Sequence, residues 1–239
     1  MTVTFVTALY LPSGPMFRNV DAYFEHFERL AETGVPLIVY LDSRLTERGS
    51  VLLGRFSNIL RIEYVDLDKS WVPETVYLPQ QRNPNKDTID YFCIQLSKLY
   101  LLSRSSGLVD TSHIAWIDFG IFHIFKNPVA VSDCLRLISA SEFPTDKIIA
   151  PGCWPVGHYN VWNAICWRFC GGFLLGAVGL FEAAAARQHS LVLGNMPGLT
   201  WEVNYWAMME EYFTNFRADH DDTIITNVKQ FILDSNKIE

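Results

Sequence analysis

Apolar and polar positions alternate along the chain in two rhythms. Val3-Thr4-Phe5-Val6-Thr7-Ala8-Leu9-Tyr10 is rich in β-branched and aromatic residues and stops at Pro12-Ser13-Gly14-Pro15, which predicts a first strand. From Val20 to Thr33 the spacing becomes helical: Phe24, Phe27 and Leu30 fall on one face, with Glu25, Glu28 and Arg29 elsewhere, and Gly34 ends the run. Pro36 to Leu41 is a short continuous apolar run closed by Asp42, the pattern of a strand buried on both faces. A short helix and a third strand, Ile59 to Val65, follow. A long helix is expected over Thr88 to Ser103, capped by Asp87 or Asn85. His113 to Gly120 reads as a fourth strand that ends on Asp118, and Lys147 to Ala150 as a fifth. Trp167 to Cys170 is expected to lead through Gly171-Gly172 into a helix ending at Arg187, and Thr200 to Tyr212 to form another helix. Arg217 to Asn227 reads as a polar tail with a small apolar centre at Ile224-Ile225.

Strands alternating with helices predict an α/β fold, a mostly parallel sheet with helices on both faces. Right-handed crossovers put the carboxyl ends of parallel strands on one edge, where such folds bind ligands. Thr7 to Tyr10, Asp42 and Asp66 all fall at strand ends of this kind. A length of 239 residues fits one domain, taken here as 1–239. With 49% hydrophobic and 19% charged residues, the composition is that of a globular chain. A net charge of -7 argues against a nucleic-acid partner or an anionic membrane surface. Phe169 to Ala186 approaches the length of a membrane span, but Gly171, Gly172, Gly176, Gly179 and Glu182 interrupt it. A buried strand-to-helix element is expected there, and no transmembrane segment. Met1 to Pro15 lacks the basic start of a secretory signal, and five cysteines is an odd count. Both point to reduced thiols in the cytoplasm.

Among residues that carry chemistry, Trp116-Ile117-Asp118-Phe119-Gly120 is the sharpest group. An apolar strand stopping at an acid presents a hard oxygen ligand at a sheet edge, as Mg²⁺ and Mn²⁺ require. An Asp there also serves simply to cap the next segment. Glu202 stands at an expected helix start after Thr200, either because acids suit helix N-termini or as a carboxylate that takes a proton from an acceptor hydroxyl. Asp219-His220-Asp221-Asp222 reads either as metal ligands or as a solvated acidic face. Lys86 and Lys98 are candidate diphosphate contacts. Cys153, His158, Cys166 and Cys170 have the donor types of a zinc site without its tight spacing. Trp154, Tyr159 and Trp162 are either acceptor-stacking rings or core. No Walker loop, Rossmann glycine fingerprint or Gly-x-Ser-x-Gly elbow occurs.

Taken in order, Phe5-Val6-Thr7-Ala8-Leu9-Tyr10, Asn85-Lys86-Asp87-Thr88, Ser97-Lys98, Trp116-Ile117-Asp118-Phe119-Gly120, Cys170-Gly171-Gly172-Phe173 and Thr200-Trp201-Glu202-Val203-Asn204 resemble the HtrL/YibB family over nearly the whole chain. That family is similar to nucleotide-sugar glycosyltransferases of the GT-A fold. The resemblance implies a nucleotide-binding half, 1–120, and an acceptor-side half, 121–239. It implies Thr7, Ala8 and Tyr10 at the nucleoside, Asp42 at the base or ribose, and Lys86, Lys98 and Gly120 at the donor. Asp118 would stand where an Asp-x-Asp metal motif begins. Gly120 departs from that motif, so a Mn²⁺ or Mg²⁺ ion would need Asp219, His220 or Asp222 as a further ligand. Gly171, Gly172 and Trp201 would line the acceptor region, and Glu202 would match the acidic residue of the acceptor-side helix, as general base or principal acceptor-binding group. Stereochemistry, sugar and acceptor stay open. A non-catalytic binding relative and a metal-dependent nucleotidyltransferase are the competing readings.

Overall fold

A computed structural model describes residues 2–14, 16 and 18–229; Met1, Pro15, Phe17 and 230–239, which fall within the expected single domain, lie outside them. The strands are β1 (Val3–Leu9), β2 (Leu37–Asp42), β3 (Ile59–Val65), β4 (His113–Ile117), β5 (Ile148–Gly152), β6 (Phe173–Ala177) and β7 (Phe213–Arg217). The helices are α1 (Val20–Ala31), α2 (Thr46–Arg55), α3 (Ile89–Ser105), α4 (Pro128–Ala140), α5 (Leu180–Gly194), α6 (Glu202–Met208) and α7 (Thr223–Thr226). One seven-stranded sheet results, in the order β3-β2-β1-β4-β6-β5-β7. Only β6 runs against its neighbours β4 and β5; every other pairing is parallel. The expected α/β class, a mostly parallel sheet with helices on both faces, is what the chain forms.

The alternation within each strand fixes the two cores. Phe5 and Leu9 of β1, Leu37, Val39 and Leu41 of β2, and Ala115 and Ile117 of β4 point to the face covered by α1, α2 and α4. Val6, Tyr10, Ile38, Tyr40, Ile114 and Trp116 point to the face covered by α3, α5 and α6. Both faces are buried, which is why these strands read as continuous apolar runs. Phe24, Phe27 and Leu30 of α1 are buried as their spacing predicts. The chain then turns into β2 through Gly34, whose φ of 79° is costly for a residue with a Cβ.

Several boundaries differ from the expectation. Within Phe169 to Ala186 the strand is buried but lies after the glycine pair, at β6, and the helix, α5, starts only at Leu180 and buries one face, leaving Glu182, Ala183 and Ala186 exposed. No helix among the described residues is long and apolar enough to cross a membrane. The helix expected over Thr200 to Tyr212 stops at Met208, and Phe213 opens the edge strand β7, paired parallel to β5. Thr200 does not cap α6; its hydroxyl donates to the Val161 carbonyl. Thr88, rather than Asp87 or Asn85, caps α3, while Asp87 accepts from the Asn83 N–H. In the tail, Ile224 and Ile225 are fully buried.

Candidate active site

The order of the sheet places the site. The carboxyl ends of β1, β4, β5 and β7 share one edge with the amino end of β6, because β6 is antiparallel. The first turns of α1, α3 and α6 approach the same edge and bound, with it, a cavity of about 270 Å³ lined by Tyr23, Tyr91, Asp118 and Glu202. Asp118 follows β4 and is held from three sides. Its N–H donates to the Gly172 carbonyl (3.0 Å), and the Trp116 indole N–H donates to its Oδ1 (2.7 Å). The next residue, Phe119, stacks on Phe27 of α1 with ring centroids 4.3 Å apart.

Beneath Asp118 lies Lys98, in the third turn of α3. Its Nζ donates to the Gly171 carbonyl (2.8 Å) and to Glu202 Oε1 (3.0 Å), and stands 3.1 Å from Asp118 Oδ1. Side-chain exposure separates the three: 3% for Lys98, 6% for Glu202 and 40% for Asp118. A buried ammonium thus joins a buried carboxylate to one open to the cleft. Burial alone works to lower the Lys98 pKa, but Asp118 and Glu202 outweigh it and raise the group above its ordinary value. The three ammonium hydrogens are matched by three oxygens, so Lys98 serves the carboxylates rather than standing open to a diphosphate. Glu202 was read without this partner. Of its aromatic neighbours, Trp201 lines the cleft, whereas Tyr205 and Trp206 are fully buried core.

The cleft gathers most of the residues singled out in the sequence. Ala8, Tyr10, Lys86 and Gly120 line it, as do Gly171, Gly172 and His220. Four others stand elsewhere. Thr7 shares the parity of Phe5 and Leu9 and is fully buried, its hydroxyl without a hydrogen-bond partner. Asp42 is also buried. It accepts from the Leu11 N–H and caps the turn at Ser43–Leu45, where Arg44 grips both its oxygens. Burial acts to raise the Asp42 pKa, and these hydrogen bonds overcome it, holding the carboxyl below its ordinary value. Asp222 accepts from the N–H groups of Lys126 (2.7 Å) and Asn127 (3.1 Å), fastening the loop before α4. Asp219 faces Arg217 at the surface. Of the three proposed partners for Asp118 in a metal site, His220 alone shares its cleft.

Among the described residues, no three His, Cys, Asp or Glu side chains are gathered to hold a metal ion. The Asp118 carboxylate nevertheless suits Mg²⁺ or Mn²⁺ held chiefly by substrate phosphates, since such ions take one or two protein carboxylates plus phosphate oxygens, and His220 lines the same cleft. Both bonds to the Asp118 carboxylate fall on Oδ1. At Gly120 a Cβ would lie 2.9 Å from Cδ1 of Tyr23, so the ring occupies the space a side chain there would need. The zinc set does not assemble; Cys153 and Cys170 meet, while the Cys166 N–H bonds Asn204. Trp162 packs edge-on against Tyr205 and Trp154 tilts against Tyr159.

Sequence reasoning missed Arg18, Tyr23, Tyr91 and His123, all of which line the cleft. Tyr23 and Tyr91 each sit in the first turn of a helix, and a helix that follows a parallel strand begins at the ligand edge; that was the available signal. Burial first, then the Glu202 and Asp118 charges, push the Tyr91 phenol well above its ordinary pKa, so it remains a hydroxyl donor. Burial lowers the pKa of His123, whose Nδ1 lies 2.6 Å from the Gly120 carbonyl oxygen. Arg18 is isolated in a loop and has no motif around it. A second cavity, about 770 Å³, lies between α3, α5 and the segment after β3, with Tyr10 also in its wall.

No family model matches the chain. Protein HtrL of Escherichia coli (strain K12) is 30% identical over 122 residues, covering 44% of this chain and 42% of that protein. The match therefore spans less than half the length of that curated relative. Similar solved structures include a CMP:2-keto-3-deoxy-manno-octonic acid synthetase complexed with CTP, at TM-score 0.46 and 9% identity over 98% of this chain and 100% of that one. Mouse xyloside xylosyltransferase 1 gives 0.44 and 10% over 89% and 84%. The bifunctional IspDF of Campylobacter jejuni gives 0.44 and 9% over 92% of this chain and 50% of that one. At such scores and identities, function rests on this chain's own residues.

Proposed function

We propose that this chain is a glycosyltransferase, moving a sugar from a nucleoside-diphosphate sugar to a glycan or other hydroxyl acceptor. The observation that carries the reading is the meeting of Asp118, Lys98 and Glu202 in one cleft at the ligand edge of the sheet. In this reading residues 1–120 form the donor half, with Ala8 and Tyr10 against the nucleoside and Arg18 and Lys86 facing the diphosphate. Residues 121–239 form the acceptor half, with Gly171, Gly172 and Trp201 along its wall. Asp118 and His220 would hold Mn²⁺ or Mg²⁺ together with the donor phosphates; such an ion neutralises charge on a departing diphosphate. Glu202 takes the acceptor proton. Lys98 bonds its Oε1 and fixes it relative to Asp118, which leaves Oε2 for the proton. Tyr91, kept protonated, supplies a hydrogen bond within the cleft.

One observation favours a second reading. Glu202 is nearly buried and ion-paired, as a structural carboxylate would be, which suits a nucleotide-binding protein without transfer. One set of measurements separates the readings. Uridine or deoxythymidine diphosphate should raise the melting temperature, and a panel of nucleotide sugars, with and without Mn²⁺, should be hydrolysed or transferred. Binding without turnover of any donor supports the second reading. Pyrophosphate release from a nucleoside triphosphate and a sugar phosphate would point to nucleotidyl transfer, and no binding of any nucleoside diphosphate at millimolar concentration defeats the nucleotide-sugar reading.

A further inference from the structure

Beside the cleft, the segment Trp167 to Cys170 runs along the carboxyl end of β5. The Cys170 N–H donates to the Pro151 carbonyl (2.8 Å) and the Cys153 N–H to that of Trp167 (3.2 Å). This bracing brings two free thiols face to face, with Sγ atoms 2.9 Å apart. The two differ in access. Cys170 is fully buried in the core under α1 and α4, while Cys153 is half-buried at its rim. An Arg217 guanidinium N–H donates to the Cys153 carbonyl, and the charges of Asp219, Arg217 and Asp221 all act on the outer thiol.

We propose that Cys153 and Cys170 are an oxidisable dithiol, converted to an intramolecular disulfide by a low-molecular-weight disulfide such as oxidised glutathione. The assignment does not depend on the proposed transfer reaction. Cys153 is the attacking group, because it alone of the pair is reachable, Cys170 being fully buried. The hydrogen bond with Cys170 holds its thiol below the ordinary value against the effect of burial, and the same bond, with burial, pushes Cys170 up. In the first step the Cys153 proton goes to solvent, and its thiolate attacks one sulfur of the small disulfide. That S–S bond breaks, and one small thiolate leaves with the electron pair and takes up a proton. In the second step Cys170 attacks the Cys153 sulfur, the bond from Cys153 to the small thiol breaks, and the second small thiolate leaves with the electron pair and takes up the Cys170 proton. Two protein thiols are oxidised to one disulfide, and one small disulfide is reduced to two thiols.

The position of the pair links it to the cleft. Cys170 directly precedes Gly171, whose carbonyl holds Lys98, and Gly172, whose carbonyl holds the Asp118 N–H. Oxidation would therefore tie the wall carrying both contacts to the end of β5.

The test uses the full chain, freed of reductant and incubated with oxidised glutathione. Thiols are then counted in denaturant, and peptides are mapped by mass spectrometry without reduction. The five thiols should fall to three, with one cross-linked peptide pair containing Cys153 and Cys170, and dithiothreitol should restore all five. Cys153→Ser and, as a second variant, Cys153→Ala should each keep their four remaining thiols. The proposal is overturned if the wild type keeps five, if the lost thiols map elsewhere, if the variants lose thiols equally, or if a Cys153–glutathione adduct forms and goes no further. The wild-type map decides the matter even if both variants fold poorly.

Discussion

Lys98→Met tests the centre of the site directly. Methionine preserves most of the side-chain volume and removes the ammonium, leaving the Gly171 carbonyl and Glu202 Oε1 without their donor. Removing one partner of a fully buried ion pair costs about 3–5 kcal/mol. Glu202 is nearly buried, but Asp118 is 40% exposed and recovers solvation from water, so the expected cost lies near the low end, about 3 kcal/mol. For a chain of this length that corresponds to a fall in Tm of about 6–12 °C. The pH dependence follows from the direction of the Lys98 shift. Its folded pKa is raised, so the contribution is complete below the ordinary lysine pKa and is lost only as pH rises through the still higher folded value. The stability gap between wild type and variant should therefore stay level from about pH 6 to about pH 9. Urea titrations with matched m values measure that gap. Adding Glu202→Leu removes both buried charges and should recover most of the loss, since apolar replacement of a buried pair is often neutral. A gap under about 1 kcal/mol, or no recovery in the double variant, would refute the account of Lys98 as the cation that makes Glu202 tolerable.

Glu202→Gln keeps an acceptor oxygen for Lys98 and removes the base. Transfer should fall about a hundredfold or more while nucleoside-diphosphate affinity is retained, and undiminished turnover would end the catalytic role. Gly171→Ala places a Cβ 2.2 Å from Glu202 Oε1 and should cost about 1–3 kcal/mol in chemical denaturation, where a silent substitution would contradict the packing described. Asp222→Ala removes the acceptor of two backbone N–H groups before α4 and should cost about 1 kcal/mol without changing nucleotide affinity; weakened binding on calorimetry would instead place Asp222 in the site.

The parts legible in the sequence are those with clear limits: β1, β2 and β4 are apolar runs closed by turn residues or an acid, and α1 carries a helical spacing that burial enforces directly. β6 and β7 were not legible, for different reasons. Phe173 to Ala177 lies within an apolar stretch that continues into α5, and a run buried on every side has no polar face to reveal its period. Phe213 to Arg217 is an edge strand defined by its pairing with β5, a contact more than sixty residues away in sequence. For site residues, strand parity was the decisive unknown. Ala8 and Tyr10 were separable from Thr7 only once the core face of β1 was fixed, because a shift of one residue exchanges the two faces. Lys98 was picked out as a cation, but its carboxylate partners come from β4 and α6, and no local pattern records a contact across the sheet.

Gly120 shows how such long-range packing bears on chemistry. Read through the family resemblance, a glycine two residues after Asp118 is a missing acid. In the fold it is the consequence of Tyr23, whose ring comes from the first turn of α1 and occupies the space a side chain at 120 would need. The same helix clamps Phe119 through Phe27, so α1 both holds Asp118 at the cleft and closes off the position beside it. Charge compensation for Asp118 then comes from below, through Lys98, whose ammonium is shared with Glu202. The arrangement exchanges a pair of neighbouring acids, which must attract a cation from solvent, for an acid with a built-in cation at 3.1 Å. It also joins Glu202 to Asp118 through one buried atom, so a perturbation of Lys98 Nζ reaches both carboxylates at once.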